Sequence, residues 1–230
     1  MENLIDIAKK PPSKTLADQV YGQIRDDIVH GHLLPGSKLK IEPLRARYQI
    51  GASPLREALS RLYSDGFVSS KGQQGFKVMG MTQEDLEDVT NLRVLIENEA
   101  LTQSIINGDD HWESGVVAAF HRLTKIETTP GEKDMHELEV RNNSFHNALL
   151  AASDSMRLHQ FYTTLYDQHK RYRNLARGVT SYKRDIHEEH TALYDATLAK
   201  DIKKATEANE YHIRKTAEVV IHLKNDEWGF

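Results

Sequence analysis

The sequence has no cysteine. That excludes a disulfide framework and a thiol nucleophile, and it suits a reducing, cytoplasmic setting. No run approaches the ~18 apolar residues that a membrane-spanning helix requires. The opening segment, Met1–Lys14, carries Glu2 and Asp6 and lacks a long apolar stretch, so it does not read as a secretory signal. Internal repeats and low-complexity tracts are absent. So are three catalytic fingerprints: a serine nucleophile elbow, a phosphate-cradling loop and a dinucleotide-binding glycine motif. Beyond Met81 strong strand signals are few, which leaves helices to build most of the chain.

At 230 residues the chain favours one large domain or two small ones. The most informative stretch is Ile41–Leu62, IEPLRARYQIGASPLREALSRL. Its spacing predicts two short helices around a tight turn at Gln49–Ala52, with Gly51 as the residue that takes an unusual backbone angle at least cost. The first helix carries Ile41, Leu44 and Tyr48 on one side. Ser53 is placed to cap the second and Pro54 to open it. Leu55, Ala58, Leu59 and Leu62 give the second helix an apolar back; Ser53, Arg56, Ser60 and Arg61 stand in front. Such a helix fits the DNA major groove, where Arg and Ser meet base edges and phosphates. An ordinary helical hairpin with a solvated face fits the same pattern.

The flanks separate the two readings. Thr15 and Asp18 form a capping box for a helix whose buried stripe is Ala17, Val20, Tyr21, Ile24 and Ile28. His30–Leu39, with Gly31, Pro35 and Gly36, ends it. Phe67–Ser70 and Phe76–Val78 are short strand-prone runs around Gly72–Gly75, a hairpin. Three helices and a two-stranded wing make a winged helix-turn-helix. In order and separation, IVHGHLLPGSKL, ASPLREALSRLYSDGFV and GQQGFKV resemble the N-terminal domain of the GntR family of bacterial transcription regulators. The resemblance covers about Thr15–Val78. It implies that Arg45 and Arg47 lie on the helix before the reader, that Ser53 and Arg56 belong to the reader, and that Gln73, Gln74 and Gly75 form a wing tip near the minor groove. Many relatives carry Arg where this chain has Ala52, and some carry an early Arg where it has Glu42, so base preference does not transfer.

Charge is divided along the chain. The first 80 residues hold 12 Lys/Arg and 8 Asp/Glu, whereas the remaining 150 hold 18 and 26. A mildly basic head on an acidic body suits a head that meets phosphates. The domain boundary falls near Met79–Met81, giving an arm over 1–14, a winged head over 15–79 and a helical body over 82–225. Helices are expected at about Gln83–Asn107, Asp110–Ile126, Lys133–Ala152, Ser155–Arg177, Tyr182–Ala199 and Ile202–Lys224. With short connections they form an antiparallel bundle, so the fold class is mainly α.

Within the bundle, Asn142 and His146 stand four apart on one helical face, with His190 and His212 on later helices. Three imidazoles and one amide oxygen from three helices can converge on a metal ion, and histidine suits zinc, nickel, copper and iron. With 12 histidines in the chain, spacing alone does not choose these four. NNSFHNALLAAS, EEHTALYDATLAKD and ATEANEYHIRK resemble the helical effector domain, the FCD domain, of the FadR-type branch of GntR regulators. The resemblance implies a divalent metal, zinc or nickel foremost, on Asn142, His146, His190 and His212, with Asn where Asp is commoner. It also implies that Arg93 lines the effector pocket, and Arg171 and Arg173 are further candidates. A guanidinium grips a carboxylate through paired hydrogen bonds, so a small organic acid is the expected effector. Tyr166 and Tyr172 are read as packing.

Two alternatives stand beside this. One is a metalloregulator, in which the ion is the signal. The other is a metal-dependent hydrolase on a DNA-binding head, but His187-Glu188-Glu189-His190 is not HExxH, because position 191 is Thr. The expectation is therefore a cytoplasmic, dimeric, ligand-responsive repressor of a palindromic DNA operator, neither an enzyme nor a membrane protein.

Overall fold

The computed structural model describes residues 15–70, 75–131, 133–176 and 184–227. The chain divides into two compact units, residues 1–80 and 81–230. Among the described residues no helix is long and apolar enough to cross a membrane.

The first unit contains α1 (Leu16–Val29), β1 (Lys38–Leu39), α2 (Ile41–Tyr48), α3 (Ala52–Ser64), β2 (Val68–Ser70) and β3 (Phe76–Val78). The expected capping box opens α1: the Asp18 amide donates to the Thr15 hydroxyl at 3.1 Å, and the Thr15 amide donates back to the Asp18 carboxylate at 2.9 Å. Val20, Ile24 and Ile28 of α1 meet Leu55, Leu59 and Leu62 of α3, all essentially inaccessible to water. Each such side chain contributes about 1.5–3 kcal/mol by leaving water. Tyr21 is only half-buried, and its hydroxyl donates to Asp65 at 2.6 Å.

Two details of the turn differ from expectation. The left-handed residue is Gln49 (φ 53, ψ 47), while Gly51 is extended at φ −71, ψ 160. Gln49 closes α2, and the C-terminal position of a helix is where a left-handed residue satisfies stray carbonyls. Helix α3 then begins at Ala52 with Gly51 as its cap, so Ser53 and Pro54 lie inside the first turn and Ser53 is not the cap. The wing is also three-stranded. Strand β1 pairs antiparallel with β3, placing Lys38 opposite Lys77, and β3 pairs with β2. Two residues are too few for a period-two pattern to show in sequence.

The second unit is a bundle of α4 (Gln83–Asn107), α5 (Asp110–Thr128), α6 (Met135–Leu149), α7 (Met156–Ala176), α8 (Ile186–Leu198) and α9 (Ile202–Glu227). Side chains of Thr82, Asp109, Asp134 and Asp185 cap α4, α5, α6 and α8. Helix α4 packs against α7 and α9, α5 against α6 and α8, and α8 against α9. Phe145, Leu149, Leu123, Val116 and Leu193 centre its core. Helix α5 runs two residues beyond the expected Ile126, which brings Glu127 into its last turn.

Candidate functional site

The head and the bundle each carry a candidate site. In the head, α3 presents Ser53, Arg56 and Ser60 to solvent. Among the described residues Arg56 has no hydrogen-bond or ion-pair partner, so its guanidinium is available to an outside acceptor. The neighbouring cations are engaged. Arg45 pairs with Glu42 at 3.0 Å, and Arg47 with Asp27 at 2.6 Å. Arg61, expected on the open front, binds Asp18 at 2.6 Å and lies over the Tyr21 ring, so it ties α3 to α1. Asp27 also accepts from the Tyr48 hydroxyl at 2.6 Å and contacts His32 at 3.1 Å, a hub with no signal in the sequence. Gly75 is left-handed at φ 75, whereas Gln73 and Gln74 lie outside the described residues.

In the bundle, three of the four expected metal ligands converge. Ligand atoms of His146 on α6, His190 on α8 and His212 on α9 all lie within 4.8 Å of one another. Their ring centroids are 4.6–5.4 Å apart, and all three are buried. His190 Nδ1 contacts the Glu127 carboxylate at 2.7 Å, and His212 Nδ1 contacts Glu189 at 2.8 Å. A carboxylate at Nδ1 holds the proton there and leaves Nε2 as the lone-pair donor. His190 Nε2 is buried and has no partner among the described residues. Burial first, then the neighbouring His212 and His190, hold His146 well below the usual imidazole pKa; burial, His190 and Arg184 do the same for His212. Imidazoles crowded together, with an unspent lone pair on His190, are what a divalent cation requires, so the donor set fits a metal ion.

Asn142 lies one turn before His146, also buried. Its amide nitrogen donates to the Tyr166 hydroxyl at 2.8 Å, which leaves the amide oxygen for another partner. Tyr166 does more than pack. Its hydroxyl donates to Glu139 at 3.2 Å, and Arg93 and Arg173 lie 5.1 and 5.0 Å from its ring centroid. Arg93 is itself buried and donates from Nε to Glu97 at 2.6 Å, so its terminal nitrogens can face a ligand. Arg173 donates to Glu139 at 2.9 Å. Arg171 is also buried, and burial lowers its pKa against the raising effect of Tyr172 and Asp85. Tyr172 packs as expected and donates to Asp85 and the Thr82 carbonyl.

The groups that sequence reasoning missed are carboxylates. Glu189 sits inside HEEH, beside a named ligand, where adjacency is a usable signal. Glu127 has none, since 63 residues separate it from His190. Arg184 grips Glu189 with two nitrogens and also donates to the His212 carbonyl at 3.0 Å, locking that imidazole from behind.

This arrangement coincides with what the chain resembles. The profile for bacterial regulatory proteins of the gntR family matches residues 16–78, and that for the FCD domain matches residues 88–215. The chain belongs to the GntR family. It is a DNA-binding transcription regulator with an FCD effector domain, and not an enzyme. It is 38% identical over 210 residues to the HTH-type transcriptional regulator BphR of Paraburkholderia xenovorans, spanning 90% of this chain and 86% of that one. It is 35% identical over 198 residues to the HTH-type transcriptional repressor GlaR of Escherichia coli, spanning 84% and 90%. The fold is shared with E. coli McbR/YncC, at 20% identity and a TM-score of 0.76 over 91% of this chain and 98% of that one.

Proposed function

We propose that this GntR regulator is a metal-loaded repressor acting in the cytoplasm as a homodimer, released from a roughly palindromic operator by a small carboxylate. Residues 15–79 bind DNA and residues 82–225 bind the effector and pair the protomers. The repressor sense follows GlaR, which is named a repressor and is 35% identical. Dimerisation follows from the operator's expected two-fold symmetry.

On DNA, Arg56 is the base-reading cation and Ser53 a nearby phosphate or base contact, because both are exposed on α3. Arg45 and Arg47 reach the phosphates by loosening exposed ion pairs, which contribute little in water. Lys38 and Lys77 stand opposite each other in the wing. Like charges facing across a strand pair repel, and a phosphate between them relieves the repulsion. Gln73, Gln74 and Gly75 extend this wing.

The observation that carries the effector reading is the histidine trio beside Arg93. His146, His190 and His212, with the Asn142 oxygen, would hold zinc or nickel. Such an ion, when bound, supplies coordination positions that a carboxylate oxygen can fill. Arg93 and Arg173 orient the same acid through charge-assisted hydrogen bonds. The acid shifts the protein only by binding one arrangement of the bundle better than the other.

The deciding experiment combines metal analysis with mobility shifts on operator fragments selected from genomic DNA. We expect one divalent ion per chain, lost from the His146→Ala/His212→Ala protein. We also expect operator release by an organic acid in the wild type and none in Arg93→Ala. Full metal occupancy in the double variant refutes the ligand set. Release by metal alone makes the ion the signal.

A further inference from the structure

Along helix α7, positions 162, 166 and 169 are buried and position 173 half-buried, spaced four, three and four apart and so on one face. All four side chains are polar. Tyr166 engages Asn142 and Glu139, and Arg173 engages Glu139. His169 differs. It is wholly buried, and neither ring nitrogen has a hydrogen-bond partner among the described residues. It also stands outside the trio of His146, His190 and His212. Native proteins keep few unsatisfied buried donors or acceptors, and an imidazole with both nitrogens idle calls for a missing partner.

The surroundings indicate which partner. After burial, the groups that act most on His169 are Arg93 and Arg173, then His212 and Arg184. The first two are the guanidiniums assigned above to the effector's carboxylate, and His212 is an assigned metal ligand. Burial and these cations keep the ring neutral. A neutral imidazole offers one N–H donor and one lone-pair acceptor. A carboxylate can only accept, and the arginines and the ion already provide for it. The group that both donates and accepts is a hydroxyl.

We propose that His169 reads a hydroxyl on the effector, so that the regulator responds to a hydroxy acid and rejects its deoxy counterpart. This rests on the effector reading above. A site built to hydrogen-bond a hydroxyl discriminates strongly against the analogue lacking it, because its own buried groups are then left idle. A bridging water would satisfy the same nitrogens without discriminating.

The test uses the full-length, metal-loaded protein and three pairs of probes: glycolate and acetate, lactate and propionate, malate and succinate. Each is titrated calorimetrically, lactate and malate as separate enantiomers. The expected result is that at least one hydroxy acid binds about tenfold or more tightly than its deoxy partner. In His169→Phe that preference falls to about twofold or less, with metal content unchanged and deoxy-acid affinity retained. His169→Gln keeps a donor and an acceptor, retains part of the preference, and replaces His169→Phe if the latter does not fold. Binding of the acids to the wild type without preference, or a preference that survives in His169→Phe, overturns the role of His169 alone. If no acid binds the wild type, or if all bind equally after metal removal and in Arg93→Ala, the effector reading falls and His169 falls with it.

Discussion

Single residues divide into those whose charge is free and those whose charge is spent. Arg56 has no partner among the described residues, so Arg56→Ala should weaken operator binding by roughly 1–3 kcal/mol and relax specificity at one base position, measured by mobility-shift titration on variant operators. Arg61 resembles it in sequence but is held by Asp18 and Tyr21. Its loss should register in the melting of the head rather than in base preference. The same distinction applies in the bundle, where Glu127 touches no candidate ion yet fixes the ring of His190. Glu127→Gln should lower metal affinity by roughly 10–100-fold, read by chelator competition, while the helical content stays the same. An unchanged affinity would mean that the carboxylate only packs. The family resemblance singled out the histidines, but not the acids behind them, because partners distant along the chain leave no mark on local spacing.

At the scale of elements, helix ends obey simple capping chemistry, and most were legible. Thr15 and Asp18 close the expected capping box on α1, and the Thr82 hydroxyl caps α4 by accepting from the Asp85 amide. Helix α4 has the expected bounds, Gln83–Asn107. The reading helix was the exception. Both Gly51 and Ser53 suit a cap, and propensity alone ranked the serine first; the left-handed turn at Gln49 placed the glycine at that position instead. The α4–α5 corner carries a sharper constraint. A methyl group added to Gly108 would collide with the Trp112 ring, whose Nε1 donates to the Ala148 carbonyl on α6 at 3.0 Å. Gly108→Ala should therefore destabilise the bundle by about 1–3 kcal/mol, seen as a lower thermal midpoint, with operator contacts of the head unaltered.

For the whole molecule, the buried histidines make stability depend on pH. His146, His169 and His212 are held well below the ordinary imidazole pKa, first by burial and then by neighbouring cations or imidazoles. The unfolded chain titrates these groups near ~6.5. Below that value the unfolded state binds protons that the folded state refuses, so stability is complete above it and declines as pH falls. The metal-free protein should show a thermal midpoint that is level from pH 8 to 7 and drops steadily toward pH 5. The metal-loaded protein should also release its ion across that range, as protons compete for the same nitrogens. A flat profile would mean that the imidazoles are reached by water.

Local patterns are enough to specify what depends on neighbours along the chain. From them came the winged head, the six-helix body and the boundary near Gly80, since caps, apolar stripes and turn residues act within a few positions; the histidine set came from the family resemblance. What depends on neighbours in space was decided only by the folded bundle and head. Those decisions are the tautomers of His190 and His212, the pairing of Arg47 and Arg61, the third strand of the wing and the isolation of His169. Each is a contact between elements tens of residues apart, and the sequence order of two elements does not state which side chains their packing brings together.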